Sequence, residues 1–432
     1  LDFTINRTMM RLELPEPMQP GSEFSFSIKW WYNINNHVAV KGRSGYEDFP
    51  DGNSNFVIAQ FYPRMAVSND VEGCQNSQFW GTSEFALPFG DFEVNITVPA
   101  DHILDGTGKL LNRKEVYTAD MIKRYNKAKK SYQKPVVIVN TEEAETASKE
   151  ASKDKKTWKL SAKNVRDFAF ATSRRYLLDM MAVKIGDKDI MAVSLYPKEG
   201  NPLWEQWSTI TVASTLESYS RMTFEYPYHK AISVHADNLG MEYPMICFNK
   251  YRPNKDGTYT DYVKIRLVSL IVHEVGHNFF PMIVNSDERQ WTWMDEGLNV
   301  FLELVAEQDF GKRYPEVLSP GHKRYPTRRG FPYQVIPYMG GDQDYISPIM
   351  SKGLNIHQKG NNAYAKPATA LNILRETVMG RELFDYAFKE YANRWMFKHP
   401  TPEDFFRTME DASAVDLDWF WRGWFYTTDW VD

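Results

Sequence analysis

His273-Glu274-Val275-Gly276-His277 sets two imidazoles four residues apart with a carboxylate beside the first. In a helix, residues four apart lie one turn above each other on the same face, so both rings can reach one ion. Glu274, one step round, points beside that ion rather than at it, where a base for a metal-bound water must stand. Eighteen residues separate His277 from Glu296, which sits in Trp293-Met294-Asp295-Glu296-Gly297. A helix, a turn and a second antiparallel helix can return that carboxylate to the imidazole pair. Two His and one Glu leave a coordination position open, which separates a catalytic zinc from a closed structural one. The bland reading makes the histidines capping or packed helix residues and Glu296 a surface group; it leaves the pairing of the two segments unexplained. One zinc per chain is therefore expected on His273, His277 and Glu296, and cobalt or manganese could substitute in vitro.

These groups need two helices to carry them. Lys264 to Phe280 is apolar on most faces, as a buried helix would be, and Asp295 to Phe310 places Leu298, Phe301, Leu302 and Val305 on one stripe. Glu296, Asn299 and Glu303 form another stripe, and Thr292 offers a capping-box-like start. Glu303 and Asp295 are candidates to accept the outer N–H groups of the metal-facing imidazoles. A third helix is predicted from Pro367 through Glu376. His37, His102, His229, His235, His322, His357 and His399 have no ligand spacing, and no nucleophile elbow or phosphate loop occurs.

The first hundred residues read as antiparallel β-structure. Phe24, Phe26, Ile28 and Trp30 alternate with polar residues, as do Phe92, Val94, Ile96 and Val98. Residues 119–156 are rich in Lys, Glu, Ala and Ser, and are expected to be a solvated insertion rather than a basic docking arm. Strands resume near Phe168 to Ala171 and Ile190 to Leu195. The aromatic stretch from Asp416 to Trp430 suits core packing better than carbohydrate stacking.

A chain of 432 residues with net charge -5 calls for more than one domain and argues against nucleic acid as a partner. No apolar run approaches the roughly 18 residues of a membrane span, so no integral membrane segment is expected. Cys74 and Cys247 cannot build a disulfide framework; two buried thiols are expected, with a single bridge as the alternative. The start at Leu1 reads as a processed or trimmed product, and export with removal of a targeting segment is one option for its location.

Taken together, these motifs resemble the gluzincin zinc aminopeptidases, the family of alanyl aminopeptidases and leukotriene hydrolase. Gly240-Met241-Glu242-Tyr243-Pro244 resembles the family's Gly-Ala-Met-Glu-Asn, the metal motif has its spacing, and Ala363-Tyr364-Ala365-Lys366-Pro367 resembles its Tyr-x-Lys-Gly segment. The resemblance implies that Tyr364 acts in catalysis with Glu274, and that Gly240, Met241 and Glu242 bind substrate, Glu242 holding its free α-amine. It implies a multidomain α+β fold: a β-rich N-terminal domain over 1–201 with the charged insertion, then a thermolysin-like, mostly helical catalytic domain over 202–432. Two positions depart from the pattern. Tyr243 stands where the family has Asn, and Ala59-Gln60-Phe61-Tyr62 lies where its Thr-Gln-x-Glu segment offers a second amine partner. Tyr62 brings no charge, so amine recognition is expected to rest on Glu242 alone. The expected function is zinc-dependent release of N-terminal residues from peptides with a free N-terminus. An endopeptidase or oligopeptidase with an open cleft is the alternative among enzymes, and a non-catalytic zinc-binding interaction module the alternative outside them.

Overall fold

The computed structural model describes residues 1–81, 83–317 and 330–429. A six-stranded sheet divides two cores. Its order is Val136–Val139, Tyr176–Ile185, Lys188–Pro197, Lys230–His235, Ile246–Asn249, Gly240–Tyr243. The two pairings made by Lys230–His235 are parallel and the others antiparallel. Side chains alternate across a strand, and here both faces are apolar. Leu177, Met181 and Val183 join the helical core, whereas Leu178, Met180 and Ala182 join the β core. Both faces are covered along most of the sheet, and water reaches it at the turn end around Lys184, Lys188 and Asp189 and at Gly240 on the edge strand.

The β core is completed by a four-stranded sheet (Gly45–Asp48, Ser54–Ile58, Phe170–Ser173, Ile103–Gly106) and a three-stranded one (Gly90–Pro99, Lys155–Val165, Lys109–Leu110). The helical core is built on the Leu203–Met222 helix, which lies on the sheet. That helix is fixed to the sheet by a buried polar network. Asp179 accepts from the Tyr196 hydroxyl at 2.6 Å and from Thr209, and Ser194 meets Ser208 at 2.7 Å. Burial pushes the Asp179 carboxyl up to about 7, against the two hydrogen bonds that favour its ionised form. A carboxyl whose folded pKa lies above its unfolded value binds more protons folded than unfolded, so stability falls as pH rises between the two. Stability is expected to decline from about pH 4 to about pH 7, and denaturation at several pH values should show Asp179→Asn flattening that slope.

Several expectations are corrected. Residues 119–156 are folded, not solvated. Ala119–Ala128 and Thr141–Lys149 are helices, and Val136–Val139 is the outer strand of the six-stranded sheet. Met121, Ala128, Ile138, Val139 and Ala144 are buried while the lysines other than half-buried Lys156 stay outside; the charge-rich composition hid that one-sided spacing. Phe24, Phe26, Ile28 and Trp30 do not form a strand, because no described strand pairs with them; the Trp30 indole instead donates to the Phe61 carbonyl. Cys247 is buried but Cys74 is exposed, and both are free. The aromatic tail does pack, with Phe420, Trp421, Trp424 and Phe425 in the helical core; Trp430 lies outside the described residues. The boundary drawn at residue 202 passes through the six-stranded sheet, which takes strands from either side of it.

Candidate active site

The first ligand helix, Asp261–Gly276, starts at Thr260, whose hydroxyl accepts from the Val263 N–H; its first turns are partly exposed and it runs largely buried from Leu267 to its C-cap at His277. The second, Thr292–Arg313, begins after Trp291, so Thr292 is inside the helix and bonds back to the Glu288 carbonyl instead of capping. Gly276 lets the two helices meet. A Cβ there would overlap the Tyr219 hydroxyl and Asn299 Oδ1, which bond each other at 2.8 Å, while Asn299 Nδ2 donates to the His273 carbonyl at 2.9 Å.

The helices bring three ligand atoms together. His273 Nε2 lies 3.1 Å from His277 Nε2 and 3.2 Å from Glu296 Oε2, which is 3.5 Å from His277 Nε2. Ligands on a tetrahedral zinc at about 2.0–2.1 Å stand about 3.3–3.4 Å apart, so the spacing suits that ion. Two Nε2 atoms facing each other at 3.1 Å cannot both carry hydrogens, so at least one lone pair points into the gap. The outer nitrogens are engaged: His273 Nδ1 meets Glu303 Oε2 at 3.0 Å, and His277 Nδ1 donates to the Phe280 carbonyl at 2.9 Å. Asp295 Oδ1 is also 2.9 Å from His277 Nδ1, but off the N–H direction, and neither Asp295 oxygen has a hydrogen-bond donor among the described residues.

The electrostatics agree with a cation at this point. Burial lowers the His273 pKa, but hydrogen bonds with Glu296 and Glu303 outweigh it and push it up to about 10. A proton is the smallest cation the spot can take, and metal binding displaces it. Glu296 is held well below its usual range; burial opposes this, but both imidazoles overcome it. Glu274 is pushed up to about 7 by burial, against the two histidines, which puts it where a proton acceptor works at neutral pH.

Around the trio stand the other groups. Glu242, Glu274 and His277 offer ligand atoms within 4.8 Å of one another. Glu242 comes from the edge strand Gly240–Tyr243. On that strand Gly240 approaches the first ligand helix so closely that a Cβ would lie 2.9 Å from Glu274 Oε1. Met241 points the other way, into the β core, so only its backbone faces the cleft. Tyr364 is presented by a π-helical turn, Gly360–Ala365, of the kind often found at functional sites. Its hydroxyl donates to Glu296 Oε1, and its ring stacks on His273 with centroids 6.2 Å apart.

The Peptidase family M1 domain matches this chain over residues 207–424, which is half of its length. The chain belongs to peptidase family M1. Aminopeptidase N of Escherichia coli is 26% identical over 264 residues, covering 57% of this chain and 29% of that enzyme. Aminopeptidase 2, mitochondrial, of Saccharomyces cerevisiae is 22% identical over 240 residues, covering 52% and 24%. The chain thus spans less than a third of either relative. A crystal structure of an M1 zinc metallopeptidase from Deinococcus radiodurans superposes with a TM-score of 0.54 at 14% identity, over 88% of this chain and 70% of that one, and shares the fold.

In this M1 chain two carboxylates escaped the sequence reading. Glu84 and Glu288 lie with Glu242 in a second buried trio within 4.8 Å of one another. Glu84 is gripped by the two terminal guanidinium nitrogens of Arg43, and Glu288 by Arg166, which also donates to the Phe85 carbonyl. Neither belongs to a motif, so no local spacing could have found them. Tyr62 donates to Asp167 at 2.8 Å and brings no carboxylate, but the acidic neighbours that Glu242 lacked on paper are supplied from elsewhere. His322 lies outside the described residues, and none of the other non-motif histidines joins a metal-competent cluster among the described residues.

The Glu303 contact has a measurable consequence. A carboxylate that orients a metal-ligating imidazole contributes about tenfold to a hundredfold in metal affinity. Glu303→Ala should weaken zinc binding by that factor in a chelator competition, and unchanged affinity would remove Glu303 from the centre's support.

Proposed function

We propose that this chain is a zinc aminopeptidase, acting on peptides with a free N-terminus. The observation that carries this reading is a buried carboxylate, Glu242, with no hydrogen bond or ion pair among the described residues, standing with Glu274 and His277 beside the His273, His277 and Glu296 trio. His273, His277 and Glu296 would hold the zinc, which when bound supplies Lewis acidity and lowers the pKa of a coordinated water towards neutrality. The remaining work falls to the chain's own groups. Glu242 pairs with the substrate's α-ammonium and so fixes the distance from the N-terminus to the bond that is cut. The outer edge of Gly240–Tyr243, which among the described residues pairs only on its Ile246–Asn249 side, offers backbone groups to an extended peptide. Glu274 takes the proton from the attacking water and returns it to the leaving amine. The Tyr364 hydroxyl, within reach of Glu296, donates to the oxyanion as it develops.

The test is hydrolysis of an aminoacyl-fluorophore panel by the zinc-loaded protein, with and without a chelator. Each peptide substrate should be compared free and N-acetylated. Zinc-dependent cleavage confined to free amines supports the reading. Equal cleavage of acetylated peptides would replace it with an endopeptidase, and silence on both would leave an interaction module.

A further inference from the structure

Asn299 shares the stripe of Glu296 and Glu303 on the second ligand helix, and it is fully buried. An asparagine amide competes with the backbone in a helix interior, so its place here needs a local gain. The gain lies at the first ligand. Asn299 Nδ2 donates to the His273 carbonyl at 2.9 Å, the same oxygen that accepts from the His277 N–H at 3.2 Å. The amide therefore grips the turn that joins the two histidine ligands. Its nitrogen also stands 3.3 Å from His273 Nδ1 and has no lone pair to offer there. The ring hydrogen is left to Glu303 Oε2 at 3.0 Å, and the Nε2 lone pair to the ion. Turned by half a rotation, the amide would set Oδ1 against the His273 carbonyl and give Nδ1 a second acceptor. Tyr219 favours the observed orientation: its hydroxyl donates to Oδ1 at 2.8 Å and lies 3.1 Å from the Asn299 carbonyl. Tyr219 is fully buried on the Leu203–Met222 helix, which carries none of the three ligands, and Gly276 leaves room for its hydroxyl and for Oδ1.

We propose that Tyr219 and Asn299 are positioning residues of the metal centre. Tyr219 orients the Asn299 amide, and the amide aims the His273 imidazole by holding its backbone carbonyl. The two side chains act in series. Zinc affinity is thus set in part by a third helix, one that rests on the six-stranded sheet and touches no ligand side chain through a motif of its own. Removing the Tyr219 hydroxyl leaves Oδ1 buried without that donor, which frees the amide to turn. Removing the Asn299 amide releases the His273 carbonyl and the ring together. The lock serves the centre whichever peptide bond is cut, so it stands or falls apart from the aminopeptidase reading.

The experiment is chelator competition for zinc on the full chain, as wild type, Tyr219→Phe, Asn299→Ala and the double variant. The melting temperature of each zinc-free protein is measured beside it. Outer partners of a ligating imidazole contribute about tenfold to a hundredfold in metal affinity. Asn299→Ala should lose a factor in that range, and Tyr219→Phe, which acts through it, a smaller one. Because the two act in series, the double variant should bind zinc no more weakly than Asn299→Ala alone. A pair that only packs the helices would lower the melting temperature and leave zinc affinity at the wild-type value, and that result would overturn the proposal. Losses that multiply in the double variant would overturn it too, since Tyr219 would then act apart from Asn299. Should Asn299→Ala fail to fold, Tyr219→Phe decides alone, because it removes a single oxygen. Weakened zinc binding by the folded Tyr219→Phe protein then upholds the lock, and unchanged binding ends it.

Discussion

Glu274→Gln should retain zinc and lose nearly all turnover. The carboxylate is buried, points beside the His273 and His277 pair, and has one oxygen, Oε2, with no hydrogen-bond partner among the described residues. Burial raises its proton affinity to about 7, matching the acceptor to a proton that must later be handed on. Glutamine keeps the shape and removes the carboxylate that can accept and return a proton. General acid–base catalysis contributes about a hundredfold to ten-thousandfold, and because Glu274 serves both transfers the loss should fall at the upper end. The decisive pair of measurements is kcat and bound zinc. Lost kcat with full zinc identifies the proton carrier; lost zinc would mean that the side chain supports the ligands instead.

Glu242→Gln should abolish the preference for a free N-terminus. A buried carboxylate that pairs with an incoming ammonium is worth about 2–5 kcal/mol, or roughly thirtyfold to several thousandfold in kcat/KM. Rates on N-acetylated peptides, already low, should not fall further. If the variant cleaves free and acetylated peptides in the wild-type ratio, Glu242 is not the amine anchor. The strand position makes the alternative explicit: Glu242 would then be a buried sheet residue repelled by its neighbours, with nothing to gain from staying charged.

The parts of the site that were legible in the sequence are those fixed by a single helix turn or one helical hairpin. His273, His277 and Glu274 follow from helical period alone, and Glu303 falls on the Glu296 stripe because seven residues make two turns. Glu84 and Glu288 were invisible for the opposite reason. Their meeting depends on Arg166 reaching from the β-rich half to the loop between the ligand helices, and no pattern in the chain encodes that distance. In the charged insertion the apolar spacing is sparse beside the charge: Met121, Ala128 and Ile138 are few among lysines but all face inward. Phe24 to Trp30 misled because alternation marks a face, whereas a strand also needs a neighbour to bond.

The six-stranded sheet has a consequence for how the molecule comes apart. Successive residues of Tyr176–Ile185 and Lys188–Pro197 belong to different cores, so each strand is a wall common to both compartments. Melting the β-rich half would expose one face of the sheet on which the ligand helices rest, and melting the helical half would expose the other. Neither half can open independently without uncovering apolar surface in its neighbour. The two should therefore denature in one cooperative step, and a cut at residue 202 should yield two insoluble pieces in place of two domains.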